Sequence, residues 1–224
     1  MKILIVSDEE NRSLWDYYTP GKLKDFDLIL SCGDLKSDYL QFLVTMARCP
    51  LLYVHGNHDE HYETRPPEGC DCLDGGIVEY NGIRILGLGG CRKYRPGAHQ
   101  YTDREMRRRI FRLEWKLRRM GGVDIVVTHA APEGLGDGED IAHRGFPSFR
   151  RLLERHPPRF WFFGHVHLQN GDGSSRTLKH RDTELINCCR SVEVEIPDRS
   201  VPEKKKNRLI WITGEPVIKD PWGL

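Results

Sequence analysis

The sequence predicts an α/β fold in which two sheets pack together with helices outside. Three observations predict it. Short, nearly continuous apolar runs recur along the chain and each ends in a polar cluster, as strands buried on both faces do. Helical spacing fills gaps between the early runs, whereas the later runs follow one another through short turns, like antiparallel neighbours. With 224 residues, 38% of them hydrophobic, the chain has enough apolar material for one domain with a real core.

Taken in order, residues 2–7 form a strand that runs into Asp8-Glu9-Glu10. The charge comes too early for a secretory h-region. Residues 28–31 end at Cys32-Gly33-Asp34, and residues 37–47 carry Leu40, Leu43, Val44 and Ala47 at helical spacing. Residues 51–54 lead into His55-Gly56-Asn57-His58-Asp59. Residues 77–80 and 83–88 flank Asn81-Gly82, a hairpin signal. Residues 102–120 give the clearest helix. Thr102 and Glu105 fit a capping box, Met106, Ile110, Leu113, Leu117 and Met120 make one apolar stripe, and Gly121-Gly122 ends it. Glu105 and Glu114 among its many arginines favour a solvated outer face over a nucleic-acid surface. Residues 123–127 precede Thr128-His129, and residues 146–155 form a third helix with Pro147 near its start. Residues 160–163 run into Gly164-His165-Val166-His167. Residues 177–180, 184–187, 191–196 and 208–213 read as short strands, with a charged loop tip at 202–207.

Charge and cysteine usage exclude some classes. Lys and Arg number 34 against 33 Asp and Glu, so global attraction to nucleic acid or anionic membrane does not organise this chain. No apolar run approaches the roughly 20 residues that span a bilayer. Seven cysteines, an odd number without Cys-x-x-Cys pairing, argue against a secreted disulfide scaffold and for a cytoplasmic protein.

The five polar clusters each follow a predicted strand, and in α/β sheets ligands bind beyond the carboxyl ends of strands. Segments far apart in sequence therefore converge there. Asp8, Glu10, Asp34, Asn57, His129, His165 and His167 combine carboxylate, amide and imidazole, a donor set for divalent ions such as Mn²⁺, Fe²⁺, Zn²⁺ or Mg²⁺. Seven ligands exceed the needs of one ion. They suit two ions about 3.5 Å apart that share a carboxylate, an arrangement that activates water and holds phosphoryl oxygens.

The ordered clusters resemble the calcineurin-like metallophosphoesterase superfamily, whose motifs run D-x-H, G-D-x-x-D, G-N-H-[D/E], a lone His, then G-H-x-H. The matching stretches are Asp8-Glu9-Glu10, the run from Gly33 to Ser37, Gly56-Asn57-His58-Asp59, His129, and Gly164-His165-Val166-His167, covering roughly residues 1–190. The resemblance implies a four-layer α/β/β/α sandwich of two mixed sheets flanked by helices. It implies a single domain over residues 1–224, with residues 191–224 completing the second sheet. It also implies two divalent ions, Mn²⁺ foremost. Asp34 would bridge them, Asp8, Glu10 and His167 would complete the first, and Asn57, His129 and His165 the second. A hydroxide bridging the ions would attack phosphorus, His58 would protonate the leaving oxygen, and Asp59 would orient His58. Two positions depart from the motifs. Glu10 stands where His is usual, which favours Mn²⁺ or Mg²⁺ and reduces Lewis acidity, and Ser37 stands where Asp is usual.

The expected substrate is a small phosphate ester, a diester rather than a monoester because no large cap domain is evident. His143 and Arg144, in the polar stretch after His129, are candidates to line its pocket and clamp its phosphate. Two rivals stay open. Glu10 motivates a metal-binding interaction protein without turnover, and the arginine-rich helix motivates a nuclease.

Overall fold

A computed structural model describes residues 1–167 and 176–214. The strands are β1 (Lys2–Ser7), β2 (Leu28–Ser31), β3 (Leu51–Tyr53), β4 (Asp71–Cys72), β5 (Ile77–Tyr80), β6 (Ile83–Leu88), β7 (Cys91–Arg92), β8 (Gln100–Tyr101), β9 (Ile125–Thr128), β10 (Phe160–Phe163), β11 (Thr177–His180), β12 (Thr183–Asn187), β13 (Arg190–Glu195) and β14 (Leu209–Thr213). The helices are α1 (Ser37–Ala47), α2 (Asp103–Met120) and α3 (Pro147–Arg155). The first sheet has the order β13-β1-β2-β3-β4 and the second β11-β12-β10-β9-β6-β5-β14. Both mix parallel and antiparallel pairs.

Alternation along each strand explains the layers. Ile3 and Ile5 of β1, Ile125 and Val127 of β9, and Phe160 and Phe162 of β10 point between the sheets into one shared core. Leu4 and Val6 face the other way, onto Leu40, Leu43 and Ala47 of α1. Val126, Trp161 and Phe163 face α2 and α3 through Ile110, Leu113, Leu117 and Phe149. The result is the sandwich α/β/β/α. Helix α2 starts at a capping box between Thr102 and Glu105 and ends at Gly121 in left-handed geometry. Among the described residues, no helix is long and apolar enough to cross a membrane.

Strand β13 does not complete the second sheet. It pairs antiparallel with β1 at the edge of the first, while β14 borders β5 in the second. Only Cys188 and Cys189 separate β12 from β13. The chain therefore crosses directly between sheets and covers the backbone edge that β1 would otherwise leave open. Residues 215–224 of the expected terminal strands lie outside the described residues.

At the opposite end of β9 from its polar cluster, Asp124 ties three segments. Its carboxylate accepts from the Arg84 amide at 2.8 Å and from the Arg199 guanidinium at 2.7 Å, and its carbonyl accepts from the Arg159 amide. Burial pushes its pKa up, but the Arg84 amide and the Arg199 charge outweigh that and hold it below the usual carboxylate range. A depressed carboxylate stabilises the fold above its unfolded pKa of about 3.9 and loses that contribution as pH falls through the folded value. Asp124→Asn is therefore expected to destabilise the protein by about 1–2 kcal/mol at pH 7. Denaturant melts should show the gap from wild type closing below about pH 4.

Candidate metal centre

The carboxyl ends of β1, β2, β3, β9 and β10 lie on one edge, and their polar clusters meet there. Two glycines make the approach feasible. A Cβ on Gly33 would sit 2.7 Å from the Gly56 Cα, and a Cβ on Gly56 would sit 2.6 Å from the Asp34 amide nitrogen and collide with its Oδ1. The β2 and β3 loops thus press backbone to backbone. Asp8, Asp34 and His165 all take left-handed backbone geometry, with φ of 62°, 58° and 67°. That conformation is uncommon outside glycine, and it turns each side chain inward at its strand end.

Asp34, His129 and His165 offer donor atoms that all lie within 4.8 Å of one another. The His129 Nδ1–H donates to the Cys32 carbonyl at 2.8 Å. Its Nε2 therefore carries a lone pair when the ring is neutral, and it faces the Asn57 Oδ1 at 3.0 Å and the Asp34 Oδ2 at 3.4 Å. Contacts this close need a positive charge at Nε2, supplied by a proton or by a bound cation. Burial disfavours charging His129, yet Asp34 outweighs it and lifts the ring's pKa to about 9. Burial of His165, with His129 beside it, drives that ring down to about 3. The His165 Nε2–H donates to the Ala142 carbonyl at 2.7 Å, which leaves Nδ1 as the donor for a ligand. Burial pushes the Asp34 carboxyl up, but the His129 ring outweighs it and holds Asp34 well below the carboxylate range. Two imidazoles, a carboxylate and an amide oxygen, desolvated and gathered together, fit a divalent ion that would replace the proton on His129.

The rest of the expected set divides. The Asp8 carboxylate accepts the His165 amide through both oxygens at 2.9 and 3.0 Å, beside the gathered group. Burial raises its pKa and His129 offsets part of that. Glu10 and His167 stand apart. Glu10 pairs with Lys36 at 3.3 Å. The His167 Nδ1 meets Glu9 at 3.2 Å, and Glu9 also pairs with Arg190 at 2.7 Å. Glu9, His167 and Cys189 form a second set of donors within 4.8 Å.

Asp59 does not orient His58. Its buried Oδ2 accepts the amides of Asp34 at 2.9 Å and Gly56 at 2.7 Å, so it braces the two loops against each other. His58 donates its amide to the Asp34 Oδ1 at 2.7 Å. It lines an open cleft of about 400 Å³ with Asp8, Glu9, Glu10, Lys36 and His61. His143 reaches the rim: its ring lies 5.0 Å from that of His165, and its Nδ1 contacts Asp140 at 2.8 Å. Arg144 is exposed, and its amide bonds the Asp140 carbonyl.

The structure adds a cluster behind the centre that the sequence reading leaves out. His55 stacks on His99 at 4.2 Å between ring centroids and contacts Asp74 at 3.1 Å. Asp74 accepts from the Gly89 amide and from Arg109, which in turn bonds the Gly89 carbonyl. His55 abuts the Gly56-Asn57 turn, so the cluster fixes the loop that carries Asn57. Its signal in the sequence is the histidine that opens the run from His55 to Asp59; Asp74, His99 and Arg109 carry none.

The chain is similar to several known proteins. A family model described as calcineurin-like phosphoesterase matches residues 1–169. The chain is 21% identical to human lariat debranching enzyme over 267 aligned positions, covering 94% of this chain and 48% of that protein. It is 28% identical to the Drosophila melanogaster lariat debranching enzyme, covering 63% of this chain and 37% of the relative. The chain thus spans less than half the length of these curated relatives. The crystal structure of TT1561 of Thermus thermophilus superposes with a TM-score of 0.55 at 17% identity, covering 83% of this chain and 88% of that one.

Proposed function

Since the chain belongs to the calcineurin-like phosphoesterases, we propose that it hydrolyses phosphodiesters at a centre of two divalent ions, Mn²⁺ foremost, with His58 as general acid. What carries the reading is the His129 Nε2 held against the oxygens of Asn57 and Asp34, with His165 beside them. Asp34, Asn57, His129 and His165 would hold one ion. Asp8 stands ready for a second, which Glu10 and His167 would join by leaving Lys36 and Glu9. When bound, the ions supply Lewis-acid polarisation of the phosphoryl oxygens and a water of lowered pKa. The chain's own residues do the rest. His58 is tied through its amide to Asp34 and lines the cleft with an exposed ring, which would protonate a leaving oxygen. Asp59 and the His55–Asp74 pair keep the loops of Asp34 and Asn57 in register.

The charge of the cleft favours a diester. Glu9 and Glu10 add two carboxylates to the rim, with Lys36 beside them, and a monoanionic diester meets less repulsion there than a dianionic monoester. The curated relatives, named for debranching a lariat, point the same way. The odd number of cysteines, without Cys-x-x-Cys pairing, supports a cytoplasmic setting.

Chelation should abolish hydrolysis of bis-p-nitrophenyl phosphate, and added Mn²⁺ should restore it. His58→Ala should slow a diester with an alkoxide leaving group by about 10²–10⁴-fold. It should slow bis-p-nitrophenyl phosphate far less, because nitrophenolate leaves without a proton. Equal losses on both substrates would remove the acid role, and activity that survives chelation would remove the metal. The engagement of Glu10 with Lys36 favours one alternative, a metal-binding protein without turnover. One bound ion per chain by elemental analysis, with no hydrolysis of any diester tested, would select it.

A further inference from the structure

We propose that the groove between α2 and α3 binds single-stranded nucleic acid and feeds it toward the metal centre. The inference deepens the phosphodiesterase reading and rests on it, because it names a polynucleotide as the substrate class.

The groove measures about 600 Å³. Helix α2 carries eight Lys or Arg against three Asp or Glu, although the whole chain is nearly neutral. Arg104, Arg107, Arg108 and Arg112 line the groove from α2, and Arg151 and Arg155 line it from α3. The last two pair with Asp103 and Glu114. Among the described residues the four on α2 enter no ion pair, so their charges are available to a ligand. Arg104, Arg108 and Arg112 recur at a spacing of four, where like charges repel and weaken a helix by a few tenths of a kcal/mol per pair. The fold gains nothing visible in return.

Two aromatic rings occupy the neighbouring line. Phe111 is 78% exposed and Trp115 64% exposed, and Arg107 and Arg119 stand one turn beyond them on either side. Neither ring serves the core, which α2 contacts through Met106, Ile110, Leu113 and Leu117. Arginines that track a phosphate backbone, interleaved with exposed rings on which bases stack, form the recognition surface for single strands. A duplex keeps its bases stacked internally and has no use for the rings. An acidic protein would match the arginines but would make no use of the exposed face of Phe111 or of Trp115, on which Arg119 already lies.

Placement completes the case. Helix α2 follows β8, beyond the carboxyl end of β6, and α3 follows the loop after β9. Asp103 joins the two helix starts through the Ser148 amide and Arg151. One end of the groove, at Arg104 and Ser148, therefore lies toward the carboxyl edge of the second sheet, where β9 and β10 run into His129 and His165.

The test is fluorescence anisotropy with the full chain in chelator, from 50 to 300 mM KCl, using labelled U20 RNA, dT20, a 20-base-pair duplex and polyglutamate. A single strand should bind, with log K falling by about 0.7 per phosphate neutralised for each unit of log salt. The triple variant R107Q/R108Q/R112Q should bind at least tenfold more weakly with a shallower slope. F111A/W115A should lose roughly 5–150-fold per base stacked. Both variants should hydrolyse bis-p-nitrophenyl phosphate as wild type does, which also certifies their folding. A preference for RNA or for DNA supports the proposal equally and identifies the sugar. No single-strand binding at 50 mM KCl, tighter binding of the duplex or of polyglutamate, or affinity unmoved by both variants would overturn it. Loss of small-diester hydrolysis alone, with strand binding intact, would strike the assignment of the metal centre and leave the groove standing.

Discussion

Asp34→Asn is expected to lower diester hydrolysis by on the order of 10³-fold or more, and to remove most bound metal. A divalent ion supplies several kcal/mol of transition-state stabilisation, and each 1.36 kcal/mol is a factor of ten in rate. Asp34 is the carboxylate facing both His129 and the His58 amide. Asparagine keeps the shape and an oxygen for the His58 amide but removes the negative charge that offsets the ions. The loops should therefore stay folded while the site loses its electrostatic anchor. Elemental analysis, kinetics and a thermal melt on the same preparation separate the effects. Full metal content with wild-type turnover would mean that Asp34 is a loop brace and that the chemistry lies elsewhere.

Gly56→Ala should produce a second large loss by a route that changes no ligand. The added Cβ would meet the Asp34 amide at 2.6 Å and its carboxylate closer still. Overpacking of this kind destabilises by about 1–3 kcal/mol. The kinetic loss should be greater, about 10²-fold, because a shift of about 1 Å at a reacting centre has that effect. Asp59, which takes the Gly56 amide, would be displaced as well. Gly56→Val should be worse on both measures. A Gly56→Ala protein with normal melting and normal turnover would refute the claim that backbone contact between these loops sets the site.

Much of this was legible in the residues. The apolar runs gave their own ends, because a strand buried on both faces stops where polarity begins. Asp34, Asn57, His129 and His165 could be expected together because strand ends share an edge, and the structure gathers them. Thr102, Glu105 and Gly121 marked α2 through local hydrogen bonding alone. What stayed hidden depends on distant partners. Strand β13 looks like any short strand, and its choice of the β1 edge over the second sheet follows from the two-residue crossing after β12. The pairing of Glu10 with Lys36, and of Glu9 with His167, is settled by side-chain direction on a turn, which spacing does not encode. Asp59 sits next to His58 in sequence but turns its Oδ2 onto the backbone amides of Asp34 and Gly56. The apolar stripe of α2 could be read directly, whereas the groove beside it exists only once α3 lies alongside.

The left-handed backbone at Asp8, Asp34 and His165 bears on how this protein can be altered. Glycine at any of the three would relieve backbone strain, a gain set against the freedom it adds to the unfolded chain. Here each replacement would delete an inward-turned donor at the centre. Relief of backbone strain and retention of the donors are therefore opposed at three positions that follow three different strands. Efforts to raise the melting temperature would do better at the far end of β9, where Asp124 works without touching the chemistry.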